Sequence, residues 1–165
     1  MAKRISYLSM FTAFAIILSY IEVILPFNFG IPGVKLGLAN LVVVIVLFNI
    51  GPREAMLINI VRIFIIALLF GNPFSLLFSF AGAFISFVFM FLAMKSKLFS
   101  IIAVSVVGGV THNIAQIVIA SLVVETYGIL YYLPVLIIAG FVTGLVLGII
   151  ANLFQNKVKT LLRQV

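Results

Sequence analysis

Residues 133–155 read LPVLIIAGFVTGLVLGIIANLFQ, an apolar run without one charged side chain. At ~1.5 Å of rise per residue, a helix of that length is ~35 Å long, enough to cross a hydrocarbon layer of ~30 Å. Lipid offers no partner for backbone N–H and C=O groups, and the run does not alternate as a barrel strand would, so a helix is the spanning element it must adopt. The same reading applies upstream to runs at about 5–25, 35–50, 53–71, 73–94 and 98–124, the second short and the fifth long. Helix breakers fall where these runs should end: Pro26, Pro32 and Gly33, then Gly51-Pro52, Gly71 and Pro73, Gly128 and Pro134. Pro52 and Pro73 are placed to open the helices that follow them. The fold class is therefore an all-α integral membrane protein, a single bundle of six transmembrane helices over residues 1–165. The segment 26–34 is expected to form a structured outer loop.

Composition excludes the main alternatives. Hydrophobic residues make up 65% of the 165 residues, and charged residues only 8%. A mean hydropathy of +1.44 lies far above that of a soluble domain. The ten Lys and Arg against three acidic residues give a net charge of +7, but the basic residues stand singly at the ends of apolar runs. That spacing marks topology, not a nucleic-acid face. Lys3, Arg4, Arg53, Lys95, Lys97, Lys157, Lys159 and Arg163 collect at one set of ends and Lys35 alone at the other. By the positive-inside rule both termini are cytoplasmic, and the chain is a multi-pass protein of the cell membrane. Contact with anionic lipid headgroups follows from the same charges. There is no Cys and one His, so neither a disulfide framework nor a zinc site is expected, and no cofactor is implied. The Lys3-Arg4 prefix mimics a secretory signal, but its apolar run is too long and lacks a small-residue cleavage site, so it reads as a retained first helix.

Small residues recur at helical spacing. Ser75, Ser79, Gly82 and Ser86 form one stripe, and Gly140, Gly144 and Gly148 a double GxxxG. Both are expected to pack helix on helix, because in lipid close backbone approach substitutes for a hydrophobic drive. A weaker pair of steps, Ser9 to Ala13 and Ala15 to Ser19, runs up the first helix and is a candidate surface for another subunit.

Polar residues within the runs carry the functional signal, since a central charge costs on the order of 2.5–3.5 kcal/mol on insertion scales. Counting ~1.5 Å per residue from the basic ends, Arg62 lies ~13 Å deep, while Asn40, Glu22, His112, Asn113 and Gln116 lie ~21–27 Å up, in the outer half. Separately placed structural groups have no reason to share a level, so these residues point to one outward-open cavity. Lys35 at its mouth and Asn28 in the outer loop would complete it, with Glu22, Glu125, Tyr127, Tyr131 and Tyr132 as a rim. Each also has a plain structural reading: Arg62 paired with Glu22, His112 as an interhelical donor, the tyrosines as interfacial anchors. Asn49, Asn59 and Asn152 are assigned to packing. With Arg62 and Lys35 as fixed cations, the expected ligand is a small, partly apolar anion.

The strings GVKLGLAN (Gly33 to Asn40), GPREA (Gly51 to Ala55), Arg62, GNPFSLLFSFAGA (Gly71 to Ala83), GGVTHNIAQ (Gly108 to Gln116), and YYLP with TGL (Tyr131 to Leu145) occur in that order over nearly the whole chain. On them the sequence resembles the Gx transporter family, also labelled heptaprenyl diphosphate synthase component I, and is similar in turn to the substrate-binding S components of energy-coupling factor transporters. The resemblance implies an S-component-like bundle with both termini inside and a substrate pocket near the outer face, closed by the first loop. It also implies a transmembrane coupling subunit and two cytoplasmic ATPases as partners, docked on small residues of the first helix, here Ser9, Ala13, Ala15 and Ser19, with Ser in place of part of the usual Ala-xxx-Ala pattern. An enzymatic role is not expected. Prenyl chain elongation needs carboxylate clusters to hold Mg²⁺ on a diphosphate, whereas the chain has no Asp, three separated Glu and no nucleotide-binding loop. An accessory role beside a prenyl synthase, or action as a self-contained carrier, stays open at this level.

Overall fold

A computed structural model describes residues 2–24, 37–71 and 73–163. Among these there are six α-helices: α1 (Ala2–Ile24), α2 (Leu38–Asn49), α3 (Pro52–Phe70), α4 (Pro73–Lys95), α5 (Ile101–Val123) and α6 (Leu133–Arg163), with a 3₁₀ turn at Tyr127–Tyr132 between the last two. The predicted outer loop at 26–34 lies outside the described residues.

Local chemistry sets the boundaries. Gly51 holds φ at 152°, a conformation closed to side-chain-bearing residues, and turns α2 into α3, whose first residue is Pro52. Gly37, at φ 68°, precedes α2. The Ser100 hydroxyl accepts a bond from the Ala103 N–H at 3.3 Å and caps α5.

Four helices, α1, α4, α5 and α6, are long and apolar enough to cross a membrane, which makes the chain a multi-pass membrane protein. The other two are shorter or more charged. Helix α2 has 12 residues, ~18 Å of rise, too short to span on its own. It lies at the centre of the bundle, touching α1, α3, α5 and α6, and Val42 to Leu47 are all buried. Helix α3 is 19 residues long and carries Arg53, Glu54 and Arg62. Helix α6 runs eight residues past the predicted end at Gln155, lifting Lys157 and Lys159 beyond its apolar part.

The predicted GxxxG stripe on α6 packs inside the chain, against α5, the most extensive helix contact in the bundle. A Cβ at Gly140 would lie 2.6 Å from the Gly109 carbonyl oxygen, and one at Gly144 would lie 2.7 Å from Val106 Cα. The two backbones therefore touch directly, the close approach that small residues permit in lipid.

The interior is divided by polarity. Phe11, Ala15, Val42 to Leu47, Ala55, Ile58, Phe87, Met90, Ile101, Val104 and Ala151 form one apolar core. All sit toward the end of the bundle that carries Arg4, Arg53 and Lys95, hereafter the basic end. There Arg4 on α1 forms an ion pair with the largely buried Glu54 on α3. Glu22, Asn40, His112 and Asn113 lie farther from that end, whereas the buried polar residues Asn59, Ser86 and Ser105 adjoin the core.

Candidate functional site

Five of the predicted polar residues meet. Glu22 (α1), Asn40 (α2), Arg62 (α3), and His112 and Asn113 (α5) line a single cavity of about 60 Å³. It is completed by Asn59 and Ile63 of α3, Ser79 and Ser86 of α4, and Thr143, Gly144 and Leu147 of α6, so all six helices contribute. A second cavity of about 150 Å³ lies between α1, α3 and α4 and shares Glu22, Arg62, Ile63 and Ser79 with the first. The shared residues form the partition between them.

Arg62 is held from below and from the side. Its Nε–H and one Nη2–H both donate to Asn59 Oδ1, at 3.0 and 2.7 Å, and Nη1–H donates to Ser19 Oγ at 3.3 Å. Asn59 stands one helical turn before Arg62, so the fork is closed within α3 and steadied by α1. Glu22, which accepts a bond from the Gly37 N–H, lines the same two cavities and sets a carboxylate near the guanidinium. The cavity thus carries charges of both signs.

The amides are set by glycines on facing helices. Asn113 donates to the Leu136 carbonyl at 2.9 Å, tying α5 to α6, and a Cβ on Gly140 would come within 3.0 Å of its Nδ2. Gly82 gives room to His112 and Gln116, and Gly108 to Asn40. The substitution Gly82→Ala would put Cβ 2.7 Å from Gln116 Cγ and 3.0 Å from His112 Cε1. Both contacts are to side chains and not to backbone, so His112 and Gln116 must turn aside before the helices part. The variant is expected to lose about 1–2 kcal/mol of stability and to weaken ligand retention about tenfold by displacing His112. Thermal unfolding and quantitation of co-purified small molecules would check the two effects separately.

Several predicted site residues fall elsewhere. Gln116 is buried against Gly82, behind His112, and does not line the cavity; its Oε1 has no partner among the described residues. Glu125, Tyr127, Tyr131 and Tyr132 line neither polar cavity and are exposed, Tyr131 at 88%. The 3₁₀ turn carries the tyrosines on the outside of the α5–α6 connection. On α1, Ser9 and Ala13 are exposed, but Ala15 is fully buried and Ser19 is 5% exposed. Two residues of helix turn the face by ~200°, so the four cannot form one partner surface, and Ser19 instead holds Arg62. Lys35 and Asn28 lie outside the described residues.

Sequence reasoning missed Asn59, assigned to packing but in fact the acceptor that fixes Arg62. Its i, i+3 spacing from Arg62 was the available signal. Ser79 and Ser86, read as packing residues, line the cavity as well, and so does Thr143, which the sequence marked only as part of the TGL string.

These features define a class: a multi-pass membrane protein with a polar, charged cavity enclosed among its helices. The chain belongs to the heptaprenyl diphosphate synthase component I family, also known as the Gx transporter family, whose family model matches residues 11–154. No curated protein and no solved structure matches it significantly.

Proposed function

We propose that the protein is the membrane-embedded substrate-binding subunit of an importer resembling energy-coupling factor transporters, and that it captures a small polar molecule bearing an anionic group. The observation that carries this reading is the convergence of Glu22, Asn40, Arg62, His112 and Asn113, from four different helices, on one enclosed space. Arg62 is the anchor for the anionic group, and His112 and the two amides supply directional hydrogen bonds.

A cavity of about 60 Å³ has room for a few waters and falls well short of the ~300 Å³ at which ligand pockets begin. Capture therefore requires opening. A ligand anion that draws the guanidinium away from Asn59 removes part of the partition and joins the space to the adjoining cavity of about 150 Å³. Binding would exchange one set of charge-assisted bonds for another.

In this proposal the termini and the basic end face the cytoplasm, which puts Glu22, Asn40, His112 and Asn113 at the outer end of the cavity and Arg62 with Asn59 at its inner end. Because the chain has no cysteine, single-cysteine labelling gives a clean test. Ser96→Cys beside Lys95 is expected to react only with reagent admitted to the inside, and Thr126→Cys before the 3₁₀ turn only from outside. The reverse pattern would invert the reading.

Energy for uptake would come from separate subunits. Ser9 and Ala13 on the exposed face of α1 are the residues left to a transmembrane coupling partner. Affinity capture under mild extraction is expected to recover such a subunit with ATPases. The second reading, favoured by the family's own description, is a non-catalytic membrane accessory to heptaprenyl diphosphate synthesis. Recovery of a prenyl synthase without any ATPase would select it.

A further inference from the structure

We infer that the seam between α3 and α4 at the basic end is a binding site for an anionic phospholipid, separate from the polar cavity. Pro52, Arg53, Met56, Leu57 and Ile60 of α3 face Phe87 and Phe91 of α4 across an open groove of about 450 Å³. Its walls are apolar except at one end, where Arg53 stands. Lys95 lies one helical turn beyond Phe91 on the same face of α4, so a second cation flanks the same end. Both are exposed, and among the described residues neither has a carboxylate within ion-pair distance, Glu54 being taken by Arg4.

Dimensions select the occupant. From Arg53 to Ile60 the groove follows α3 for ~10 Å, about two-thirds of the ~15 Å hydrocarbon depth of one leaflet. An open apolar slot of that length admits hydrocarbon chains lying alongside the two helices. Two cations at the headgroup level, with an apolar slot running inward from them, complement a phosphate with its acyl chains. The seam also has room for such a filler, since α3 and α4 touch far less extensively than α4 and α5.

Native mass spectrometry of the full chain, stripped of lipid and titrated with phosphatidylglycerol or phosphatidylcholine, tests the site. Each surface cation contributes about 1 kcal/mol toward an anionic headgroup, so the wild type is expected to prefer phosphatidylglycerol about 30-fold at its tightest site. Arg53→Gln with Lys95→Gln is expected to abolish that preference, and Lys95→Gln alone, which leaves the α3 start untouched, to reduce it about fivefold. Lys157→Gln with Lys159→Gln, an equal loss of charge at the same end, should leave it intact. Equal retention of both lipids by the wild type would overturn the site. So would loss of preference in the Lys157 and Lys159 variant to the same degree, or occupation of the groove by a peptide in place of lipid.

Discussion

Arg62→Ala is expected to lower retention of the captured molecule by about 100-fold, or ~3 kcal/mol, the effect of deleting one partner from an enclosed charged contact. The loss has two sources. The ligand anion forfeits its guanidinium, and the Glu22 carboxylate is left in the enclosed space without the cation that shares its walls. Arg62→Lys is not a rescue, because a lysine ammonium cannot reproduce the fork in which Nε–H and Nη2–H both reach Asn59. The two sources separate in the double variant Arg62→Ala with Glu22→Gln. Neutralising the carboxylate should restore part of the thermal stability but none of the retention. If retention returned with the stability, Arg62 would be a structural counter-ion only. Liquid chromatography–mass spectrometry of the small molecules released from equal amounts of each purified variant is the readout.

Gly144→Leu is expected to have the largest effect on folding. Gly144 sits where α6 meets α5 backbone to backbone, and the first carbon of any side chain would fall 2.7 Å from Val106 Cα and 2.8 Å from the Ser105 oxygen. Neither atom can swing aside, in contrast to the flexible side chains facing Gly82. The helices must separate, which strains the pairing of α5 with α6 and opens the cavity wall that Gly144 itself contributes. A loss of at least ~3 kcal/mol, the top of the usual range for overpacking, is expected, with Gly144→Ala intermediate. Gly128→Ala provides the control, because its Cβ would meet nothing nearer than Thr126 Cγ2 at 3.8 Å. Fluorescence-detected size exclusion of the detergent-extracted variants, run against a temperature series, would rank the three. A Gly144→Leu protein as stable as Gly128→Ala would refute direct backbone contact.

Much of the architecture was legible because a bilayer leaves few choices. An uncharged run such as 133–155 can only be a helix there, and Pro52, Gly51 and Gly71 mark ends by backbone geometry alone. Helix α2 was harder. Its valine run reads the same whether it faces lipid or protein, and only the packing reveals a short helix enclosed by its neighbours. Depth counting grouped Glu22, Asn40, His112 and Asn113, which line one cavity, since axial position follows from residue number. Rotation about each helix does not, and most of the errors arose there. Gln116 shares the level of Asn113 but turns toward Gly82, and Ala15 and Ser19 face opposite to Ser9 and Ala13. The direction of the tyrosines in the 3₁₀ turn was not legible for a different reason: a connection of irregular backbone has no period from which it can be read.

A high-resolution experimental structure of the gently extracted wild-type protein is the most direct measurement. The expected result is density for a non-protein molecule bridging Arg62 to Asn40 or His112, in a space enlarged by displacement of the guanidinium from Asn59. Polar side chains directed separately into lipid, or an enclosed space that holds only water while a co-purified molecule occupies another part of the bundle, would contradict it.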